Sequence, residues 1–259
     1  MIPGDILFTR DGAIATVTLF NPERLNALNA AMWRRLGDIF AQLDTDESLR
    51  CVILRGEGGV FAAGGDLVEM HELRATPEGA LAYHATVERA LHAIEQCRHP
   101  VLASIDGPCV GGGLEIACAC DLRIASASAR FGAPINKLGF SMYPGELAGL
   151  LRLAGPAVVK EILLEGRLLT ATEAYAKGLL TRVVADVDLA SETQGTAERI
   201  AAGAPLVARA HKQWITRLQN GATPGADELR ASFGILDSAD YAEGYAAFRA
   251  KRTPRFSGT

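Results

Sequence analysis

The sequence predicts an α/β fold that ends in a helical segment, and three observations carry that prediction. Two short, wholly apolar runs, Cys51–Leu54 and Val101–Ile105, read as buried parallel strands. Each run leads through a glycine-bearing loop into a stretch of helical periodicity, so strand, glycine loop and helix recur in close succession, as right-handed crossovers require. From about Ser191 the strand signals stop and the pattern is almost entirely helical. The expected division is a core over residues 1–190 and a helical assembly segment over residues 191–259.

The elements follow in order. Ala15, Val17 and Leu19 alternate with Thr16 and Thr18, a half-buried strand that Asn21-Pro22 ends. Met32, Leu36, Ile39, Phe40 and Leu43 fall at helical spacing behind Asn29, a candidate N-cap. Tyr83, Val87, Ala90, Leu91 and Ile94 mark a helix that begins near Pro77 and stops before Pro100. Asp106-Gly107-Pro108 turns the chain, Gly111-Gly112-Gly113 opens a helix through Ala119, and Asp121–Ala125 is again a strand. Pro156 starts a helix that Gly166 ends. Thr170 and Glu173 form a capping box whose short helix Gly178 closes.

Composition narrows the function classes. A chain of 259 residues fits one large domain with or without an appendage. Its 49% hydrophobic and 22% charged residues exclude a disordered or fibrous chain. With 26 basic against 30 acidic residues there is no global basic excess to attract nucleic acid or a membrane surface. Charges or glycines interrupt every apolar run, which excludes a transmembrane helix, and Met1–Asp5 has no signal-peptide pattern. The five cysteines are odd in number and form no CxxC, which reads as reduced thiols in the cytoplasm.

Two loops stand out chemically: Phe61–Asp66 (FAAGGD) and Gly111–Glu115 (GGGLE). Neither has the spacing of a dinucleotide or nucleoside-triphosphate loop. Each stands between a strand and a helix, where main-chain N–H groups and the helix dipole favour an anion. Two converging loops of this kind can make an oxyanion hole; on glycine placement alone, tight strand-to-helix turns are the plainer account.

The segments NPERLNALN (Asn21–Asn29), FAAGGD (Phe61–Asp66), DGPCVGGGLEIACACDLRIAS (Asp106–Ser126), FGAP (Phe131–Pro134), LLTATEAYAKGLL (Leu168–Leu180) and EGYAAFRAKRTPRF (Glu243–Phe256) together resemble the crotonase superfamily, the enoyl-CoA hydratase/isomerase family. They stand in that family's order and spacing across nearly the whole chain. The resemblance implies a spiral of ββα units with a C-terminal helical trimerisation segment, assembled as a homotrimer or a dimer of trimers. It implies an acyl-CoA thioester whose carbonyl oxygen sits between the main-chain N–H groups of Gly65 and Gly112, with no metal, flavin or nicotinamide. Many members carry Ala where Gly65 stands. By the same resemblance, CoA lies along Arg24, Leu25 and Ala27 on one side and Ala63, Asp66 and Leu67 on the other. Phe248 and Lys251 resemble residues that reach a neighbouring subunit's ligand. Arg249, Lys251, Arg252 and Arg255 place four cations in seven residues, which suits a phosphate or a solvated basic tail.

Family hydratases use two glutamates. Glu115 matches the first, one helical turn past Gly112. The second normally follows the FGxP element, where this chain has Ile135, which cannot transfer a proton. Tyr143 and Glu146, in a stretch that departs from the family's glycine-rich loop, are the substitute candidates; a Glu after Pro-Gly also suits a helix start. His71 and His84 are of a residue type suited to such acid–base work, but both lie in helical patterns beyond any motif, which suits surface or packing positions better.

The reading adopted is an enoyl-CoA hydratase that adds water syn to a 2-enoyl-CoA. The alternative is a one-base enzyme, a Δ3-Δ2 enoyl-CoA isomerase or another thioester-enolate lyase, because Ile135 walls out water. An alternative of another class is a non-catalytic acyl-CoA- or RNA-binding relative. Against RNA stands the lack of a basic stripe interleaved with aromatics.

Overall fold

Ten helices wind around two ladders of strands in the computed structural model, which describes residues 4–259. The chain opens with an antiparallel hairpin, β1 (Asp5–Asp11) and β2 (Ile14–Phe20), and helix α1 (Ala30–Thr45). β3 (Cys51–Gly56), α2 (Leu67–Leu73) and α3 (Pro77–Gln96) follow. Next come β4 (Val101–Ile105), β5 (Pro108–Val110), α4 (Gly112–Ala119), β6 (Leu122–Ser126), β7 (Arg130–Gly132) and α5 (Pro144–Lys160). β8 (Leu169–Thr170), α6 (Ala171–Ala176) and β9 (Arg182–Val184) complete the strands, and α7 (Leu189–Ala202), α8 (Pro205–Gln219), α9 (Ala226–Ser232) and α10 (Ala239–Ala250) end the chain.

The larger sheet has the order β1-β2-β3-β4-β6-β9, parallel throughout except at the β1/β2 edge. A second ladder runs from a single bridge at Ala62–Cys109 through β5 and β7 to β8. Each turn of chain therefore lays one strand in each ladder and then forms a helix: β3, Ala62, α2 and α3; β4, β5 and α4; β6, β7 and α5. This is the expected spiral of ββα units. Its consequence is positional, because equivalent points in successive turns lie side by side. The loops after Ala62, β5 and β7 are such points.

Side-chain alternation divides the core. Val52, Leu54, Val101, Ala103 and Ile105 face the main core with Leu36, Phe40 and Ile94 of α1 and α3. Cys51, Ile53, Leu102 and Ile124 face the other way, where Leu189 and Ala197 of α7 cover them. Each such fully buried aliphatic side chain contributes about 1.5–3 kcal/mol. All five cysteines are free and buried, and burial pushes the Cys51, Cys118 and Cys120 thiols up to about 12. The segment from α8 to α10 buries little of itself: Ile215, Leu218, Tyr245 and Phe248 on the helices, and Phe233 and Leu236 between α9 and α10, are all exposed. Polar ties hold this segment to the body, with Arg209 donating to the Glu47 and Leu49 carbonyls and Lys212 paired with Asp121. No helix among the described residues is long and apolar enough to cross a membrane.

The capping residues expected from the sequence act as such. The Asn29 side chain accepts from the Met32 N–H at 2.8 Å, and Thr170 and Glu173 cap α6 reciprocally. The helix expected to start at Pro156 has an earlier half. α5 begins at Pro144, breaks at Gly155 (φ 73°, ψ 166°), and resumes at Pro156 through to the left-handed Gly166.

Candidate active site

Two strand-to-helix turns from adjacent spiral units meet at the head of one cleft. In the first, Ala62 is locked to β5: its N–H donates to the Pro108 carbonyl at 3.0 Å, and its carbonyl accepts from Val110 at 2.9 Å. Leu28 then grips both sides of Gly65, donating to the Gly64 carbonyl and accepting from the Asp66 N–H, each at 2.8 Å. The Leu28 stretch is itself pinned by Asn26. Leu25 and Asn26 both take left-handed backbone (φ 50° and 57°). The fully buried Asn26 side chain holds that conformation by donating to the Glu57 and Val60 carbonyls and accepting from the Asn21 N–H. This explains physically why the sequence carries Asn26 there: Asn tolerates left-handed φ and hydrogen-bonds locally.

In the second turn, Gly111 takes φ 52° and ψ −118°, a conformation that favours glycine, and caps α4. Its N–H donates to the Gly132 carbonyl of the next unit, and its carbonyl accepts from the Glu115 N–H at 3.0 Å. Gly112 is the first residue of α4, where a helix has no internal acceptor for the N–H. Among the described residues, neither Gly65 nor Gly112 donates its N–H to a protein acceptor. The turns touch: a Cβ built on Gly111 would lie 3.6 Å from the Gly64 Cα, and one on Gly64 would lie 3.9 Å from the Gly112 nitrogen.

Gly65 and Gly112 line a cavity of about 410 Å³ together with Glu115 and Glu146. Of the residues expected along CoA, Arg24, Ala27, Ala63, Asp66 and Leu67 also line it. Asp66 caps α2 and is ion-paired with Arg24. Leu25, Tyr143, Phe248 and Lys251 are not among the lining residues. Leu25 instead supplies a carbonyl to the Ala63 N–H. Phe248 is 81% exposed on α10, and Lys251 is the left-handed residue that ends it. Of the four C-terminal cations, Arg252 is already neutralised by a two-pronged pair with Glu243.

The carboxylates come from separate helices. Glu115 lies on α4, which is buried along its whole length. Burial raises its carboxyl well above the usual range, and the Glu146 charge raises it further. Glu146 lies in the first turn of α5. Burial pushes it up to about 7, against the opposing pull of the Tyr143 N–H and the Arg74 charge. Its Oε2 accepts from the Tyr143 N–H at 3.3 Å. Its Oε1 stands 2.9 Å from Nδ1 of His84 on α3, with both side chains about 12–13% exposed. Burial and the Arg74 charge lower the His84 pKa, against the opposing pull of the Glu88 charge. His84 is thus a neighbour of the carboxylate pair and not only a packing residue. The Tyr143 ring packs edge-on against His84, and its hydroxyl accepts from Arg74. Ile135 lines the cleft after β7, at the level where the glycine turns stand in the two preceding units.

Sequence reasoning set His84 down as a surface or packing position and did not single out Arg74. The one available signal for His84 was its place beside Tyr83 and one turn before Val87, both on the buried stripe of α3.

The description of the family model that matches residues 9–259 is enoyl-CoA hydratase/isomerase. A short-chain-enoyl-CoA hydratase from Clostridium acetobutylicum is 34% identical over 214 residues, covering 82% of this chain and 81% of its own. YngF of Bacillus subtilis, named as a candidate enoyl-CoA hydratase/isomerase, is 36% identical, covering 98% of each chain. A crystal structure from Magnetospirillum magneticum, described as an enoyl-CoA hydratase/carnitine racemase, superposes with a TM-score of 0.96. It is 51% identical and covers 98% of this chain and 96% of its own.

Proposed function

This chain belongs to the enoyl-CoA hydratase/isomerase family, and from that premise we propose that it hydrates 2-enoyl-CoA thioesters with Glu115 and Glu146 as its acid–base pair. The observation that carries the reading is one cleft lined by the carboxyl groups of Glu115 and Glu146 and by two main-chain N–H groups without protein acceptors among the described residues. The thioester oxygen sits between the Gly65 and Gly112 N–H groups. As water adds to the β-carbon, negative charge grows on that oxygen. Donors fixed by the backbone stabilise it without rearranging, and each is worth roughly 3 kcal/mol of barrier.

The two carboxyl groups divide the proton work. Burial raises both carboxyls, Glu146 to about 7 and Glu115 with the Glu146 charge adding to the shift, and the proton the pair shares is assigned to Glu115. Two neighbouring carboxyls in a desolvated site favour such a one-proton state. Ionised Glu146 takes a proton from the attacking water while its oxygen bonds to the β-carbon. Glu115 delivers its proton to the α-carbon, and the pair then re-equilibrates. Glu146 therefore takes the place of the glutamate that Ile135 does not supply.

CoA extends to the open rim, where Arg24 and Leu67 are about half exposed. The apolar residues exposed on α8–α10 support assembly into a trimer, with Phe248 and Lys251 serving a neighbouring copy's ligand. The reaction calls for no metal or redox cofactor, and the buried thiols support a cytoplasmic setting. Loss of the conjugated-thioester absorbance of crotonyl-CoA tests the hydratase reading; no turnover on any enoyl chain length sinks it. Ile135 in the cleft favours one rival, a 3-enoyl to 2-enoyl shift by a single carboxylate. That chemistry would place deuterium in recovered 2-enoyl-CoA without forming a hydroxyacyl product.

A further inference from the structure

The cleft holds an arginine that makes no ion pair with a carboxylate among the described residues. Arg74 follows α2, is half-buried, and lines the cleft together with Glu146. Its guanidinium carbon stands 4.6 Å from the centroid of the Phe140 ring and 5.0 Å from that of Tyr143. Nη2 donates to the Tyr143 hydroxyl at 3.1 Å. Two aromatic faces and a hydrogen bond thus fix the group in place. Yet no Asp or Glu oxygen among the described residues comes within 4.0 Å of it, whereas the cleft's other arginine, Arg24, is paired with Asp66. Arg74 also stands close enough to the reacting end for its charge to act on both Glu146 and His84.

The neighbouring wall is apolar: Met70, Val87, Ile135, Leu138 and Met142. A plain alkyl tail would suit that wall but leave most of the guanidinium donors without partners. A planar fork of donors held against aromatic rings matches a carboxylate. Resting on the acyl-CoA reading above, we infer that Arg74 is a carboxylate subsite. The favoured substrates are then CoA monothioesters of short dicarboxylic acids, whose acyl chain ends in a second, free carboxylate. The same guanidinium chemistry would also take a CoA phosphate, so the test must separate acyl end from CoA end.

Saturated thioesters bind without turnover and separate the two. Calorimetric Kd values would be measured for succinyl-, glutaryl- and adipyl-CoA against butyryl-, pentanoyl- and hexanoyl-CoA. Each pair has equal carbon number and the same CoA, and differs in a terminal carboxylate against a methyl. For the chain length that reaches Arg74, the carboxylate is expected to bind about tenfold or more tightly. Arg74→Met should bring that ratio towards 1, and Arg74→Lys, which keeps the charge, should retain part of it. A wild-type ratio at or below 1 for all three pairs overturns the inference. So does a ratio that survives in Arg74→Met while both partners weaken equally, the result expected if Arg74 held a CoA phosphate. If none of the six thioesters binds, it is the acyl-CoA reading that fails.

Discussion

The two walls of the cleft are built by different means. The glycine wall is main chain: Gly65 and Gly112 are aimed by main-chain hydrogen bonds that tie Leu28 to Gly64 and Asp66, Ala62 to β5, and Gly111 to Gly132. The carboxylate wall is side chain, and its members come from three helices: His84 on α3, Glu115 on α4, Glu146 on α5. The first wall presents charge stabilisation that any thioester enolate can use. The second decides which proton moves, and therefore which member of the family's repertoire this chain performs. The difference predicts that substitutions in the carboxylate wall change the reaction more than a methyl added at Gly65 in the glycine wall.

The largest effect is expected at Glu115. Glu115→Gln keeps shape and hydrogen-bonding capacity but removes the acid, and kcat for crotonyl-CoA hydration should fall about 10³-fold. Stability should move the other way. The folded-state pKa of Glu115 is raised above its unfolded value, so the wild type loses stability as pH rises past the ordinary carboxyl range. The glutamine has no charge to bury, and the variant should melt no lower than the wild type at pH 7. A melting point that fell together with activity would turn Glu115 into a structural residue.

Glu146→Gln should cost about 10²-fold, and it carries its own signature. As the base, Glu146 must be ionised, so wild-type kcat/KM should rise with pH through about 7. The residual activity of the variant should lack that limb. If the limb persists unchanged, the base lies elsewhere in the cleft.

The two walls also differ in how far the sequence reveals them. Glycine turns and helix caps use residue types that stand together in the chain, so the glycine loops, Asn29 and the Thr170–Glu173 cap could all be read from short segments, although the long-range bonds that aim Gly65 and Gly112 could not. β3 and β4 declared themselves as apolar runs because both their faces are covered. β1 did not, because it is an edge strand whose residues after Ile6 are exposed and carry little alternation. β5 and β7, three residues each, are too short to show a period. The first half of α5 lay behind its Gly155-Pro156 break, and with it the setting of Glu146. The contact between His84 and Glu146 spans 62 positions and follows only from how α3 and α5 pack. No local pattern encodes it.

His84 tests that long-range contact at smaller amplitude. His84 serves an ionised Glu146 by donating from Nδ1, and that donation favours the ionised form. His84→Leu removes the donor. The limb near 7 should move to higher pH, and kcat at pH 7 should fall about tenfold. A loss of activity with the limb unmoved would reduce His84 to packing.

The smallest effect is expected where the resemblance and this chain differ, at Gly65. Its φ is not left-handed, so alanine can adopt the same backbone. The added Cβ would come within 2.4 Å of the Met70 sulfur and 3.4 Å of the Tyr83 hydroxyl. Met70 is unbranched and partly buried, so its end can swing aside at little cost. The N–H stays where Leu28 holds it on both sides. Gly65→Ala should therefore lower kcat/KM by no more than about threefold, and Gly65→Ala with Met70→Ala should recover part of that. Loss of a donor at such a site costs about 10²–10³-fold. A fall of that size in Gly65→Ala would mean that the missing Cβ, not the ladder, sets the aim of the amide, and the glycine wall would then be as dependent on side chains as the wall beside it.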